Sequence, residues 1–600
     1  MNTAFNFVLS ASKFGFSDVL ALLCGLALFL YGMDVMGDAL KKSAGNSLKT
    51  ILAKMTSNPV KGFFLGLVVT LVIQSSSATT VMVVGFVNSG TMTLVQSVGV
   101  IMGANVGTAI TAWLTALNSL GGDTGADAVA MLKVLKPDSW VPIVAIIGIC
   151  LIMFVKRGRK KDLGVILLGF SVLMTGMTMM SDAVSPLKGD PGFASILTMF
   201  ENPILGILAG LVLTAIVQSS SASVGILQAL TVTGAISYGA AIPIVMGQNI
   251  GTCVTAMLSS LGANKNGKRA AIVHLSFNVI GVVLVSVIFY TLNAIINFAF
   301  TSVAIDAWGI AIVHTLFKIV CVALISPFYK QLAKLACLIV KDSKDDQETS
   351  TLLDDRLLGT PGVAVERASQ VVISMADIST KALKDSLSLF DSFDAKLADS
   401  IRDMESKVDT LEDAIGSYLV KISSRTDDPQ DSEQMTKLLH IIGDYERISD
   451  HAVNIVESCE ELKDKKIAFS AEAERELNVL RAAVGEILAL SYDAFANNDL
   501  AKAAEIEALE QVVDDLRDKI KLNHIKRLQK SECTIEHGFV LADLLTNFER
   551  VADHCSNIGG CVIEISAYDA LDMHKYLSDL RDGSSDYEAK CAAYRAKYTL

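Results

Sequence analysis

The chain has 600 residues, more than one ordinary core accommodates, with 51% hydrophobic residues and a formal net charge of −12. The charge is divided: residues 1–340 carry 20 Lys+Arg against 11 Asp+Glu, and residues 341–600 carry 31 against 52. That division predicts an apolar membrane half followed by an acidic soluble half, and it argues against nucleic acid as a partner.

In the first half, apolar segments near 17–38, 94–117, 141–155, 163–183, 240–261, 270–292 and 308–328 are candidate membrane spans, with 141–155 marginal in length. No basic leader with a short apolar core and a cleavage site precedes them, so no removable signal peptide is expected. The segments 59–90 and 203–234 differ from the rest, because QSSSATT (74–80) and QSSSASV (218–224) fall near their middles. Each has 32 residues, roughly 48 Å as a helix. That length suits a helical hairpin that enters and leaves the membrane on one side.

The two segments belong to a longer repeat. Shifting the sequence by 144 residues aligns 25–117 with 169–261 without a gap, and 30 of 93 positions are identical. Asn58-Pro59 returns as Asn202-Pro203, GLVVT (66–70) as GLVLT, and GANVGTAIT (103–111) as GQNIGTCVT (247–255). Three spans separate the start of one copy from the start of the next, so the second copy should be inverted. Lys41, Lys42, Lys49, Lys54, Lys61, KRGRKK (156–161) and KNGKR (265–269) then share one side, expected to be cytoplasmic. The loops 119–140 and 184–202 face outward. The ten cysteines form no CxxC pair and avoid those loops, so no disulfide is expected. Inverted repeats meeting at broken helices are a secondary-transporter arrangement.

Backbone inside a bilayer must be hydrogen-bonded or line a wet cavity. A hairpin broken at QSSS would start its second arm with free N–H groups and a positive dipole end, which favour an anion. Serine and threonine hydroxyls can donate to anion oxygens, and their oxygens can coordinate Na⁺. From Gly62 to Gly122, and from Asn202 to Asn264, there is no Lys, Arg, His, Asp or Glu. An anion held there is expected to need co-bound Na⁺, so the chemistry points to cation-coupled anion transport. Small residues in membrane helices also serve close packing. Duplication of the whole cluster favours a site at QSSS, whereas for GANVGT and GQNIGT packing and site-lining stay open. Asp34 is the only acid well inside a span; its repeat counterpart is Thr178, and a solvated helix end is its expected role.

The duplicated QSSS, each copy followed by a GxNxGT segment, resembles the type II sodium/phosphate cotransporter family, including its bacterial members, over roughly residues 17–330. The resemblance implies that Gln74, Ser75, Ser76 and Ser77 line the phosphate and Na⁺ sites with Gln218, Ser219, Ser220 and Ser221. Thr79, Asn105 and Thr108, and their counterparts Ser223, Asn249 and Thr252, complete the candidate set. AIVHLSFN (271–278) also resembles a family segment and AIVHTLFK (311–318) echoes it; their histidines are expected to be structural.

In the second half, residues 341–360 are polar and read as a linker. Apolar residues then recur at helical spacing, predicting helices near 362–388, 393–424, 431–463, 468–497, 500–530 and 533–567, as two three-helix bundles. YERISDHAVNI (445–455) matches FERVADHCSNI (548–558), and MESKVDTLEDAI (404–415) matches LEQVVDDLRDKI (509–520). Each contains Glu-x-x-x-Asp: Glu405/Asp409, Glu446/Asp450, Glu510/Asp514 and Glu549/Asp553. Carboxylates at i and i+4 share a helix face, and two such helices per bundle would gather four of them, a constellation suited to a hard metal. One such pair alone is more often a solvated face. These segments resemble PhoU-type phosphate-signalling regulators over about 362–567. That resemblance implies clustered multivalent metal ions on the carboxylates.

The expectation is an all-α protein. Residues 1–340 form a polytopic membrane domain of two inverted repeats (about 17–155 and 163–300) with re-entrant helical hairpins, and residues 361–600 a cytoplasmic PhoU-like domain of two three-helix bundles. The two resemblances imply Na⁺-coupled inorganic phosphate transport across a bacterial inner membrane by alternating access, regulated by the PhoU-like domain. A membrane-anchored phosphate-signalling protein and a transporter of another oxyanion, such as sulfate or arsenate, are the alternatives. The partners are phosphate, Na⁺ and membrane lipids, with a second copy of the chain or a phosphate-signalling protein left open. No P-loop or nucleophile–base pair stands out, so an enzyme is not expected.

Overall fold

A computed structural model describes residues 14–53, 59–119, 137–155, 159–341, 352–426, 428–567 and 585–600. Among them the secondary structure is helical apart from an isolated bridge between Ser237 and Ala304. The chain divides into two compact units, residues 1–359 and 360–600. The expected outer loop at 119–140 lies largely outside the described residues.

In the first unit, α1 (Phe16–Ala53) is followed by α2 (Pro59–Ile73), α3 (Ser76–Asn88), α4 (Leu94–Gly107) and α5 (Ala109–Ala116). α6 (Pro137–Phe154) leads to α7 (Arg159–Val184) and α8 (Pro191–Thr198). The same order then returns as α9 (Pro203–Val217), α10 (Ser220–Leu230), α11 (Tyr238–Gly251) and α12 (Cys253–Ser259). α13 (Lys265–Ile296), α14 (Ala307–Ile325) and α15 (Tyr329–Ile339) complete the unit. Among the described residues six stretches, including Lys265–Ile296 and Ala307–Ile339, are long and apolar enough to cross a membrane, whereas α2 and α3 are shorter. The protein is a multi-pass membrane protein.

Missing side chains set the tightest packing. A Cβ on Gly103 would stand 1.9 Å from the Phe63 carbonyl oxygen, and one on Gly247 would stand 1.9 Å from that of Ile207. No other residue fits there, so α4 lies backbone-to-backbone on α2, and α11 on α9. α1 and α7 cross in the same manner. Gly25 faces the Gly176 carbonyl and Gly32 that of Gly169, so the two helices run antiparallel.

The second unit contains α16 (Pro361–Ser388), α17 (Ala395–Ser423), α18 (Pro429–Asp464), α19 (Ala471–Asn497), α20 (Leu500–Gln529) and α21 (Ile535–Ala567). α16–α18 pack together, as do α19–α21, and α18 lies against α21. Amphipathic periodicity made these six helices readable. A further helix, α22 (Ser585–Lys597), lies beyond the range assigned from sequence, tied to α20 by Arg595–Asp515 (2.9 Å). The stretch read as a polar linker also differs: Leu357 and Leu358 are buried in the first unit.

Candidate functional site

Both QSSS segments break their helices at the glutamine. Gln74 and Gln218 adopt left-handed backbone, with φ 56° and 55°. The next serine then caps the new helix: Ser75 Oγ accepts from the Ala78 N–H at 3.1 Å, and Ser219 Oγ from the Ala222 N–H at 3.2 Å. Each cap satisfies one of the free N–H groups of the first turn and leaves others without an intrahelical partner. Ser76 and Ser220 follow in buried first-turn positions, and Ser77 and Ser221 are half-buried.

The repeat continues in the hydrogen bonds. Thr70 Oγ1 donates to Thr79 Oγ1 at 3.1 Å, and Thr214 Oγ1 donates to Ser223 Oγ at 2.8 Å. Thr70 and Thr214 were not singled out from the sequence, although the repeated GLVVT and GLVLT contain them. The two glutamines differ. Gln74 is buried, its Oε1 accepting from Thr111 Oγ1 and its Nε2 donating to the Leu71 carbonyl, whereas the Gln218 side chain is exposed. Gln74, Ser75 and Ala78 line a cavity of about 500 Å³ with Tyr31, Asp34 and Lys41. Asp34 is exposed there, in the middle of α1 rather than at a helix end.

The GxNxGT segments join the repeats. Each interrupts its helix at the threonine, Thr108 between α4 and α5 and Thr252 between α11 and α12. Asn105 Nδ2 and Asn249 Nδ2 both donate to Asn278 Oδ1, at 2.6 and 2.5 Å. Asn278 Nδ2 in turn donates to the His274 carbonyl at 2.9 Å. His274 and His314 are buried on α13 and α14.

The sequence expectation of a centre without a cationic side chain is corrected here. Lys318, the last residue of AIVHTLFK, is 3% exposed and donates from Nζ to Thr108 Oγ1 at 2.6 Å. Thr108 Oγ1 donates onward to the Asn105 carbonyl at 2.5 Å. The charge comes from α14, about 200 residues beyond the first uncharged window.

In the second unit, Glu405 of α17 lies near Asp409 on its own helix and near Asp450 of α18, and Asp514 of α20 lies near Glu549 and Asp553 of α21. Arginines share these faces. Arg517 Nη1 reaches Glu549 at 2.9 Å and Asp514 at 3.4 Å, and Arg447 and Arg550 flank Glu446/Asp450 and Glu549/Asp553. Glu510 is buried instead. Among the described residues no three His, Cys, Asp or Glu side chains are grouped to hold a metal, so the expected metal clusters are not supported. The His451 and His554 rings lie 5.7 Å apart, tilted by 32°, and they bond to Asn547 and Asp444 rather than to a shared centre.

Comparison with known proteins follows this division. Residues 28–182 and 172–315 match the Na+/Pi-cotransporter family, and residues 372–459 and 477–562 match the PhoU domain. "Putative inorganic phosphate export protein YjbB" of Escherichia coli K12 is 24% identical over 558 residues, covering 91% of this chain and 97% of that protein. "Uncharacterized protein YqeW" of Bacillus subtilis is 33% identical over 261 residues, 43% of this chain and 79% of that protein. "Sodium-dependent phosphate transport protein 2A" of Mus musculus is 35% identical over 105 residues, 17% of this chain and 16% of that protein.

Proposed function

We infer that this chain, which belongs to the Na+/Pi-cotransporter family and carries PhoU domains behind its membrane part, moves inorganic phosphate across the bacterial inner membrane with Na⁺ as coupling ion. The family is one of transporters rather than enzymes. The observation that carries the reading is the shared core: two serine-capped helix breaks, at Gln74 and Gln218, with Asn105 and Asn249 meeting on Asn278. Capped N-termini offer N–H groups to phosphate oxygens, and hydroxyl and carbonyl oxygens at the breaks offer ligands to Na⁺.

Alternating access follows from two repeats of opposite orientation around one site. The antiparallel crossing of α1 and α7 supports inversion, since Gly25 and Gly32 are the repeat counterparts of Gly169 and Gly176. α2 has 15 residues, about 22 Å of helix against a hydrocarbon core of about 30 Å. That shortness supports a hairpin that re-enters on its own side. The basic segments support a cytoplasmic location for the C-terminal half, where it tunes transport or reports phosphate status to a partner. Net direction follows the gradients; the name of the Escherichia coli relative favours export under cellular conditions.

Titrating the purified protein with phosphate in Na⁺ and in choline tests the coupling. Phosphate should bind more tightly in Na⁺, and by linkage Na⁺ should bind more tightly in phosphate by the same factor. Equal affinities in the two salts would remove Na⁺ from the account.

A further inference from the structure

The two segments AIVHLSFN (271–278) and AIVHTLFK (311–318) share AIVH and a phenylalanine, then end differently, in Asn278 and in Lys318. Both end residues reach the GxNxGT segments. Asn278 receives the amides of Asn105 and Asn249, and Lys318 reaches Thr108, three residues beyond Asn105. The arrangement is lopsided, because among the described residues no lysine reaches Thr252, the repeat counterpart of Thr108, which donates to the Gln248 carbonyl. One of two matched positions therefore carries a cation where the other carries a neutral amide.

Lys318 is 3% exposed, and the Thr108 hydroxyl to which it donates is neutral; among the described residues no carboxylate pairs with it. An ammonium has three donors, and Thr108 takes one. A buried cation is costly unless a negative charge comes beside it. The uncharged stretches 62–122 and 202–264 supply none, and a bound anion would provide it. Thr108 itself accepts from Lys318 while donating to the Asn105 carbonyl, which fixes the ammonium against the shared core.

We propose that Lys318 is a fixed cation of the anion site: its ammonium donates to the bound oxyanion beside Thr108 and stands in for one of the mobile cations the anion would otherwise require. This rests on reading the duplicated core as the phosphate site. A tethered charge favours the anion before Na⁺ arrives and reduces by one the number of Na⁺ ions needed per phosphate.

The test is phosphate binding to purified full-length protein across a series of Na⁺ concentrations, for wild type, Lys318→Met, Lys318→Asn and Lys318→Arg. Lys318→Met and Lys318→Asn should lose about tenfold in phosphate affinity at low Na⁺. Their Na⁺ dependence should steepen by about one Na⁺ per phosphate. Lys318→Arg, which keeps the charge, should retain the shallow dependence. Melting temperatures without ligand give a second reading: Lys318→Met should be at least as stable as wild type, because an uncompensated buried charge has been removed. Wild-type affinity for phosphate in Lys318→Met at every Na⁺ concentration would overturn the proposal, and so would a Lys318→Met protein that melts well below wild type or fails to fold. If wild type binds sulfate but not phosphate, the phosphate reading fails, and the same series in sulfate decides Lys318: loss of affinity in Lys318→Met supports it and no loss overturns it.

Discussion

Asn105 and Asn249 stand 144 positions apart and donate to the same acceptor, Asn278 Oδ1, at 2.6 and 2.5 Å. One side chain on α13 thus ties the equivalent helices of both repeats. Asn278→Ala would leave two buried amide donors without that partner, at about 1–3 kcal/mol each. The expected outcome is a lowered melting temperature in detergent together with lost phosphate flux. A variant that melts and transports as wild type would make the shared acceptor incidental.

The serine clusters give a sharper separation of folding from function. Ser75→Ala and Ser219→Ala each remove a helix cap and should cost about 0.5–2 kcal/mol of stability. Ser76→Ala, Ser220→Ala and Gln218→Ala should lower phosphate flux with little change in melting temperature. Gln74→Ala should lower both, because the Thr111 hydroxyl loses its acceptor. Normal flux in the Ser76, Ser220 and both glutamine variants would reduce the hairpins to packing elements.

The segment that precedes the second unit is held to the helices of the first by hydrogen bonds from both partners of an internal ion pair. Arg356 Nη1 lies 2.8 Å from Asp354, whose side chain is 2% exposed, and Arg356 Nε donates to the Ser259 carbonyl at 2.8 Å. Asn88 Nδ2, at the end of α3, donates to the same carboxylate at 2.6 Å. Arg356→Ala removes the charge partner and should cost about 1–3 kcal/mol. Limited proteolysis of the full-length protein should show faster cleavage within 352–359 and reduced flux, without a change in the Na⁺ requirement. Cleavage at the wild-type rate would mean that Leu357 and Leu358 hold the segment unaided.

Glu405, Glu446, Asp514 and Asp553 are all held above ordinary carboxylate values. Burial is the first cause at each, and neighbouring carboxylates add to it, with Arg517 opposing at Asp514. Between the ordinary and the raised values the folded state binds more protons than the unfolded state. Stability from these groups is therefore full below the ordinary carboxylate range and is lost as pH rises through the raised values. Replacing all four, by Gln at the glutamates and Asn at the aspartates, should stabilise residues 360–600 more at pH 7 than at pH 5, measured by thermal melting. An equal gain at both values would mean that these carboxylates titrate as ordinary surface groups.

Much of this was legible before any coordinates, for a physical reason. A helix break in a bilayer needs polar residues in apolar sequence, so QSSS announced both breaks, and the six helices of residues 361–567 followed from apolar spacing. What escaped depended on contacts between distant segments. Lys318 enters the core from α14, while the sequence reading judged charge only within the repeat windows; the changed last letter of AIVHTLFK was the available signal. The ExxxD spacing points to metal ligands because both carboxylates share a face, yet ERxxD places an arginine beside each first glutamate in two of the four, and Arg517 pairs with Asp514 of a third. In the linker, the leucines of DDRLLG (354–359) outweighed the polar residues around them.

The central claim is tested most directly by labelled phosphate flux into proteoliposomes holding the purified protein, with an inward Na⁺ gradient or with choline in its place. The account predicts rapid uptake with the gradient, reversal to efflux when the gradient is reversed, and little movement in choline. Phosphate flux of equal rate in choline, or Na⁺-driven liposomes that move no phosphate, would contradict it.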